Sequence, residues 1–347
     1  MVLPPKLADV AKKAAVSTAT VSRVLNNSPY PVSEKTRKRV ISIARELGYR
    51  PNILAKSLAA NRTYTLELFM DLTYDASGES GVGIFLGRTL LGVEEVAEKR
   101  GYRVILDINR SSGKSDAEMF SGSFPVAGAI VIAPREGNEK IPYLVQNKIP
   151  FIVVASTEYR DYSYVDVDNA AGASKATEYL LSLGHTDIIC LGGPSNFRQS
   201  LDRIAGFRRT MRAKGLAFKD EQTIYSADWT WDNGYRLMRQ ILEERPKRPT
   251  AVFACNDMMA MGAIRAIKSK NLSVPDDISV VGFDDMPSSE MISPPLTTVK
   301  QPIYDISKTA AEVLIERIDQ NDTQDVPYQD LYIPDLIIRE SCAAIRG

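Results

Sequence analysis

The 347 residues are too many for one typical domain and enough for two or three, each with its own core. Formal net charge is zero, yet residues 1–63 carry 12 Lys and Arg against 3 Asp and Glu, while the remainder carries 31 against 40. A basic segment heading an acidic body is the footprint of a polyanion-binding module joined to a domain that avoids the polyanion. Three widely spaced cysteines, Cys190, Cys255 and Cys342, exclude a disulfide framework and a zinc-ligand pattern. With no secretory leader and no apolar run of ~18 residues, a cytoplasmic protein without a membrane span is expected.

From Leu7, the apolar residues Leu7, Val10, Ala11 and Ala14 recur at helical spacing, and Asp9 sits in the first turn, where a helix dipole favours an anion. This predicts a helix ending within Ala15-Val16-Ser17. Ser17 is placed to cap a second helix with Val21, Val24 and Leu25 inward, and a turn of about three residues forces the two to cross steeply, as in a helix-turn-helix. Thr18, Ala19, Ser22, Arg23 and Asn26 then face outward. Small polar groups plus one guanidinium suit entry into a major groove. Ser33 caps a third predicted helix, Glu34 to Leu47, with Val40, Ile41, Ala44 and Leu47 inward, Lys35, Arg37, Lys38 and Arg39 outward, and Gly48 as its stop. Residues 1–50 are expected to form a DNA-binding domain.

The runs Leu7-Ala8-Asp9-Val10-Ala11, Val16 to Asn26, Val32-Ser33 and Gly48-Tyr49-Arg50-Pro51-Asn52 resemble the lactose-repressor (LacI/GalR) family. Ala15 departs from that pattern, which usually has Gly in the turn. The resemblance implies that Thr18, Ala19 and Arg23 read bases, while Ser17, Thr20 and Ser22 mainly engage phosphates. It also implies a hinge helix in the joint 51–63, ordering on operator DNA. Leu58 would be its apolar wedge at the central base step; fewer than about 12 residues make only a marginal helix without packing.

Beyond Tyr64, apolar runs alternate with amphipathic helical patterns. Strands are expected at Leu66 to Leu72, Arg103 to Ile108, Gly128 to Ala133, Phe151 to Ala155, Ile188 to Gly192, Ala251 to Cys255 and Ile278 to Phe283. Helices are expected at Phe85 to Arg100, Ala170 to Leu183, Ser200 to Lys214 and Met258 to Lys270. Repeated βα units imply an α/β fold of parallel sheets flanked by helices. The pattern restarts near Ile188, so two lobes resembling a periplasmic binding protein are expected over 64–347. The first would span about 64–160 plus a crossover near 296–325, the second about 161–290 plus a C-terminal strand. Ligands of such sheets bind beyond the carboxyl ends of strands, which puts a cleft between the lobes.

Several polar residues fall at those strand ends: Asn256-Asp257, Asp284-Asp285 and Glu158. Carboxylates and amides converging on one cleft suit a hydroxyl-rich ligand. Arg203 lies early in its helix, where the dipole repels a cation, and Trp229 offers a flat apolar face. Asp257 and Asp285 are equally placed to cap helices. The family resemblance implies effector contacts at Arg203, Asn256 and Asp284 and stacking on Trp229; on the first-lobe side Phe85 is the candidate, behind a long loop from Thr73 to Ile84.

An enzyme lacks its parts. Gly81-Val82-Gly83-Ile84-Phe85-Leu86-Gly87 has one residue too many for the dinucleotide fingerprint, and Walker A and Gly-x-Ser-x-Gly motifs are missing. His185, the sole histidine, reads as a helix C-terminal cap. No cofactor, metal or catalytic residue is expected. The resemblance implies a homodimeric transcriptional repressor reading a pseudo-palindromic operator, with the helix from Phe85 at the interface. A small sugar of carbohydrate-utilisation control is the expected effector, a nucleoside or purine the alternative. A solute-binding protein would lack residues 1–60.

Overall fold

A computed structural model describes residues 5–25, 30–49, 63–72, 81–109, 125–156, 161–216, 222–321 and 326–345. They divide into two units, 1–64 and 65–347.

Among the described residues the first unit holds three helices, α1 (Leu7–Ala14), α2 (Thr18–Leu25) and α3 (Glu34–Glu46). Each exposes a polar face and contributes apolar residues to one small core of Val10, Ala11, Ala14, Val21, Val24, Val40 and Ala44. The expected caps are in place. The Ser17 hydroxyl accepts the Thr20 N–H at 3.1 Å, and the Ser33 hydroxyl accepts the Thr36 N–H at 3.3 Å. α1 stops because Ala15 turns left-handed, with φ 50° and ψ 48°, and its N–H bonds back to the carbonyls of Ala11 and Lys12. Gly48 makes the same turn after α3 at φ 66°, without a Cβ to oppose it.

The second unit contains two six-stranded sheets. In chain order its elements are β1 (Thr65–Asp71), α4 (Val82–Arg100), β2 (Arg103–Asn109), β3 (Gly128–Ile132), α5 (Lys140–Gln146), β4 (Phe151–Val154) and β5 (Tyr164–Val167). Then come α6 (Asn169–Ser182), β6 (Ile188–Gly192), α7 (Arg198–Ala213), β7 (Thr223–Tyr225), α8 (Trp231–Glu244), β8 (Ala251–Ala254), α9 (Asp257–Ser269), β9 (Ser279–Asp284), α10 (Pro287–Met291) and β10 (Thr297–Lys300). The chain closes with α11 (Ile303–Gln320), β11 (Gln329–Tyr332) and β12 (Asp335–Ile337).

The first sheet runs β11-β5-β4-β3-β1-β2, all parallel. The second runs β12-β10-β9-β8-β6-β7, parallel except for the β10–β12 pair. Gly128–Ile132, Ile188–Gly192 and Ala251–Ala254 are buried along their whole length, as strands covered by helices on both faces must be. On the first sheet, α4 and α11 approach so closely that a Cβ on Gly92 would overlap the carbonyl of Tyr304.

Two boundaries differ from the sequence reading. β5 hydrogen-bonds to β4 and β11 in the first sheet, so the first lobe runs past residue 160 to the start of α6. Its Tyr-Val-Asp-Val pattern is too short and too polar to announce a buried strand. β10, expected within the first lobe's crossover, pairs with β9 in the second sheet. The chain therefore crosses between the lobes after β5, after β10 and after β11.

Candidate nucleic-acid interface and ligand cleft

In the first unit, packing Val21 and Val24 into the core leaves Thr18, Ala19 and Arg23 exposed on α2, with Thr20 and Ser22 half-buried. The hydroxyls of Ser17 and Thr20 lie 2.9 Å apart while Ser17 caps the helix, so one group both ends the turn and edges the exposed face. The Arg23 guanidinium lies over the Tyr30 ring, 4.8 Å from its centroid. Lys35, Lys38 and Arg39 add exposed cations on α3. Asn26 and Leu58 lie outside the described residues.

In the second unit, the carboxyl ends of strands from both sheets line a cleft with about 590 Å³ of empty space, open to solvent. Met70, Ala133, Ala155 and Asp166 come from the ends of β1, β3, β4 and β5; Asn256, Asp284 and Gln301 come from the ends of β8, β9 and β10. Gly81, Val82 and Phe85 enter from the start of α4, and Asn169, Gln199 and Arg203 from α6 and α7. Ala133, Ala155 and Asp284 hold positive φ angles of 42°, 60° and 130°, backbone conformations that side chains resist and that collect at binding sites.

Arg203 organises the floor. It is only 4% exposed, and its Nε donates to Asn169 Oδ1 at 2.8 Å while Nη1 donates to the Cys255 carbonyl at 2.5 Å. Nη1 also lies 3.6 Å from Asp284 Oδ1, and the guanidinium stacks on Phe283 at 3.8 Å. A cation early in α7 is thus held by partners that outweigh the dipole's repulsion. Trp229 forms a wall, edge-on to Phe197 at 6.1 Å, and a Cβ on Gly193 would overlap its ring. Asn256 caps α9 by accepting the Met259 N–H at 2.8 Å and ties in Trp229 by donating to its carbonyl at 2.9 Å. The cap is therefore Asn256, not Asp257, because Asn256 is the residue with extended backbone preceding the helix.

Burial sets the charge states. It pushes Asp166 up to about 7 against the Val167 N–H and Arg203, and Asp284 up to about 6 against Arg203 and the Gln301 amide. Asp257 is pushed to about 7 by burial and by neighbouring Asp284, although three donors face it: the Met286 N–H at 2.9 Å, the Ser289 hydroxyl at 2.6 Å and the Thr298 hydroxyl at 2.5 Å. Gln199 is buried in the cleft lining and its Oε1 has no hydrogen-bond partner among the described residues, leaving an acceptor for a bound molecule or water. Between the two lobes, the Glu136 N–H donates to the Asn196 carbonyl at 3.0 Å and Arg88 to the Asp285 carbonyl at 3.2 Å.

Residues 6–52 match the lacI family of bacterial regulatory proteins, and residues 177–342 match a periplasmic binding protein-like domain. The probable transcriptional repressor ExuR of Bacillus subtilis is 34% identical over 320 residues, 91% of this chain and 92% of its own. The chain belongs to the LacI family. Two solved family structures share its fold. One is a CelR–cellobiose complex, at TM-score 0.73 and 30% identity over 97% of this chain and 99% of that one. The other is a lac repressor dimer bound to operator and the anti-inducer ONPF, at 0.81 and 28% over 99% and 100%. This LacI-family member is accordingly a DNA-binding transcriptional regulator with an effector-binding domain, and not an enzyme. Among the described residues, no helix is long and apolar enough to cross a membrane.

Of the residues singled out in the sequence, the structure of this LacI-family chain brings Phe85, Arg203, Trp229, Asn256 and Asp284 into one cleft. Glu158 lies outside the described residues, as does most of the loop before Phe85. Asp166, Asn169, Gln199 and Gln301 were missed. Asp166 and Gln301 close strands too short to read from periodicity, whereas Gln199 sits four residues before Arg203, one helical turn away, and that spacing could have found it. His185 takes part in the C-terminal cap of α6 through its backbone, the N–H donating to the Leu180 carbonyl at 3.2 Å after the left-handed Gly184, while its ring looks elsewhere. Its Nε2 pairs with the Ala343 carbonyl at 3.0 Å, because the C-terminal segment packs beside it.

Proposed function

We propose that the chain is a homodimeric, cytoplasmic repressor of carbohydrate-utilisation genes whose hold on a pseudo-palindromic operator is controlled by a small sugar bound between its lobes. Residues 1–50 read DNA, 51–63 form the hinge, and 64–347 bind effector and dimerise. Thr18, Ala19 and Arg23 meet base edges, while Ser17, Thr20 and Ser22 engage phosphates, with Asn26 as a further DNA contact and Leu58 as the minor-groove wedge. The dimeric, operator-bound state of the lac repressor supports a dimer here, and a two-fold protein matches two half-sites about one helical turn apart, ~34 Å.

The observation that carries the sugar reading is the cleft's mixture of groups. Asp284 and the free Gln199 carbonyl accept, Asn256 and Arg203 donate, and Trp229 presents an apolar face, the complement of a ring with hydroxyls on its rim and C–H bonds on its face. Phe85 closes the first-lobe side, and Glu158 is a further effector contact of this reading. Because the lobes meet through three crossovers and through Glu136–Asn196 and Arg88–Asp285, effector closure rotates the first lobes and changes the spacing of the paired hinges. An effector must prefer one state by about 5.5 kcal/mol to swing the balance from 1:99 to 99:1.

The test is a titration of the purified protein with a panel of sugars, nucleosides and purines, followed by melting temperature and Trp fluorescence. A ligand at 100 times its Kd adds about 2.7 kcal/mol of stability. A sugar response abolished by Trp229→Ala and Asp284→Ala supports the reading. Silence with every sugar and a response to a nucleoside or purine would keep the regulator and overturn the ligand.

A further inference from the structure

Tyr30 is 62% exposed and does not belong to the core formed by Val10, Ala11, Ala14, Val21, Val24, Val40 and Ala44. An aromatic ring left in water contributes little to folding. What Tyr30 does touch is Arg23, whose guanidinium carbon lies 4.8 Å from the ring centroid on the exposed side of α2.

The geometry of that contact matters for recognition. An arginine reads guanine through the N–H bonds in the plane of its guanidinium, two of which pair with O6 and N7. A guanidinium held over an aromatic ring meets the ring's π face, and with five N–H donors it keeps donors free for a base. The contact does restrict a long side chain that would otherwise lose its rotamer freedom when DNA arrives, so part of the ordering cost is met before binding. We propose that Tyr30 is a positioning residue for DNA recognition, restraining the Arg23 guanidinium over its ring while N–H donors remain for a base. This rests on the assignment of Arg23 as a base-reading residue.

The experiment uses the full chain and, as probe, a duplex recovered by in vitro selection from a randomised palindromic library, together with its single-base variants. Binding is followed by fluorescence anisotropy at several salt concentrations. An exposed cation–π contact corresponds to about a two- to five-fold effect at one half-site, so Tyr30→Ala should weaken a dimer on two half-sites about four- to twenty-five-fold. The loss should be confined to duplexes that keep the base whose discrimination Arg23→Ala erases, and Tyr30→Phe, which keeps the ring, should retain that discrimination. In an Arg23→Ala background, Tyr30→Ala should have no further effect. An equal loss in that background, or a uniform loss across all duplexes, would mark Tyr30 as a contact independent of Arg23, such as one to a phosphate, and overturn the proposal. If Arg23→Ala itself leaves base discrimination intact, the assignment of Arg23 fails first and the proposal falls with it; the single variant separates the two failures.

Discussion

Asp257 offers the sharpest test of how the second lobe is held together. Its carboxylate is fully buried and collects donors from three places: the Met286 N–H before α10, the Ser289 hydroxyl within α10 and the Thr298 hydroxyl on β10. Asp257→Ala strands all three. A buried unsatisfied donor costs about 1–3 kcal/mol, but the variant also relieves the repulsion from Asp284 and the burial of a charge, so a net loss of about 3 kcal/mol is expected. At roughly 2–4 °C per kcal/mol for a domain of this size, the melting temperature should fall by about 6–12 °C. Asp257→Asn should behave differently. Its oxygen can serve the Met286 N–H and the Ser289 hydroxyl, and its amide can donate to Thr298, whose hydroxyl turns round to accept. Its loss should stay below about 1 kcal/mol. Thermal and urea unfolding of the two variants decide the matter. If Asn is as damaging as Ala, the negative charge itself is what the donors need; if Ala costs less than about 1 kcal/mol, the three-way network does not stabilise the lobe and the reasoning fails.

Three further outcomes follow from the same physics. Ala15 holds a left-handed turn that costs an L-residue about 1–2 kcal/mol, so Ala15→Gly should slow hydrogen exchange of the Val10 and Val21 amides in the first unit, and unchanged or faster exchange would contradict it. Gly193→Ala must displace the Trp229 ring; a destabilisation of about 1–3 kcal/mol and a red-shifted emission, read in a Trp231→Phe background, should accompany weakened effector binding. Asp166, normally ionised above pH 4, keeps its proton in the fold to about pH 7, so between those values the folded state binds more protons than the unfolded state and stability falls as pH rises. Asp166→Asn removes that slope, and the variant's melting temperature should gain on the wild type from pH 4 to pH 8; a constant gap would mean that Asp166 is ionised throughout.

The two ends of the site were legible to different degrees. Along α1, α2 and α3 every inward position was visible as an apolar residue at helical spacing, and Ser17 and Ser33 mark caps whose chemistry is local to four residues. Strands such as Ile188–Gly192 announced themselves as apolar runs, and residues just past them, Asn256 and Asp284 among them, could be assigned to a cleft because parallel sheets collect ligands at their carboxyl ends. Lys140 shows the limit. It is almost fully buried, 2.5 Å from Glu67 and stacked near Phe69, and nothing in its local sequence distinguishes it from a surface lysine.

Near neighbours and repeating pattern therefore account for the three-helix unit, the alternation of strand and helix and the asymmetry of charge. Which sheet β5, β10 and β11 join became legible only in the fold, since four residues carry too little periodicity to choose and the choice rests on hydrogen bonds to strands far away in the chain. The same long-range pairing decides the floor of the cleft. Arg203 meets Asn169, Cys255 and Asp284 across separations of 34, 52 and 81 positions, and a partner at such a distance is fixed by strand order within the second sheet and by the helices packed on it, not by any residue's immediate surroundings.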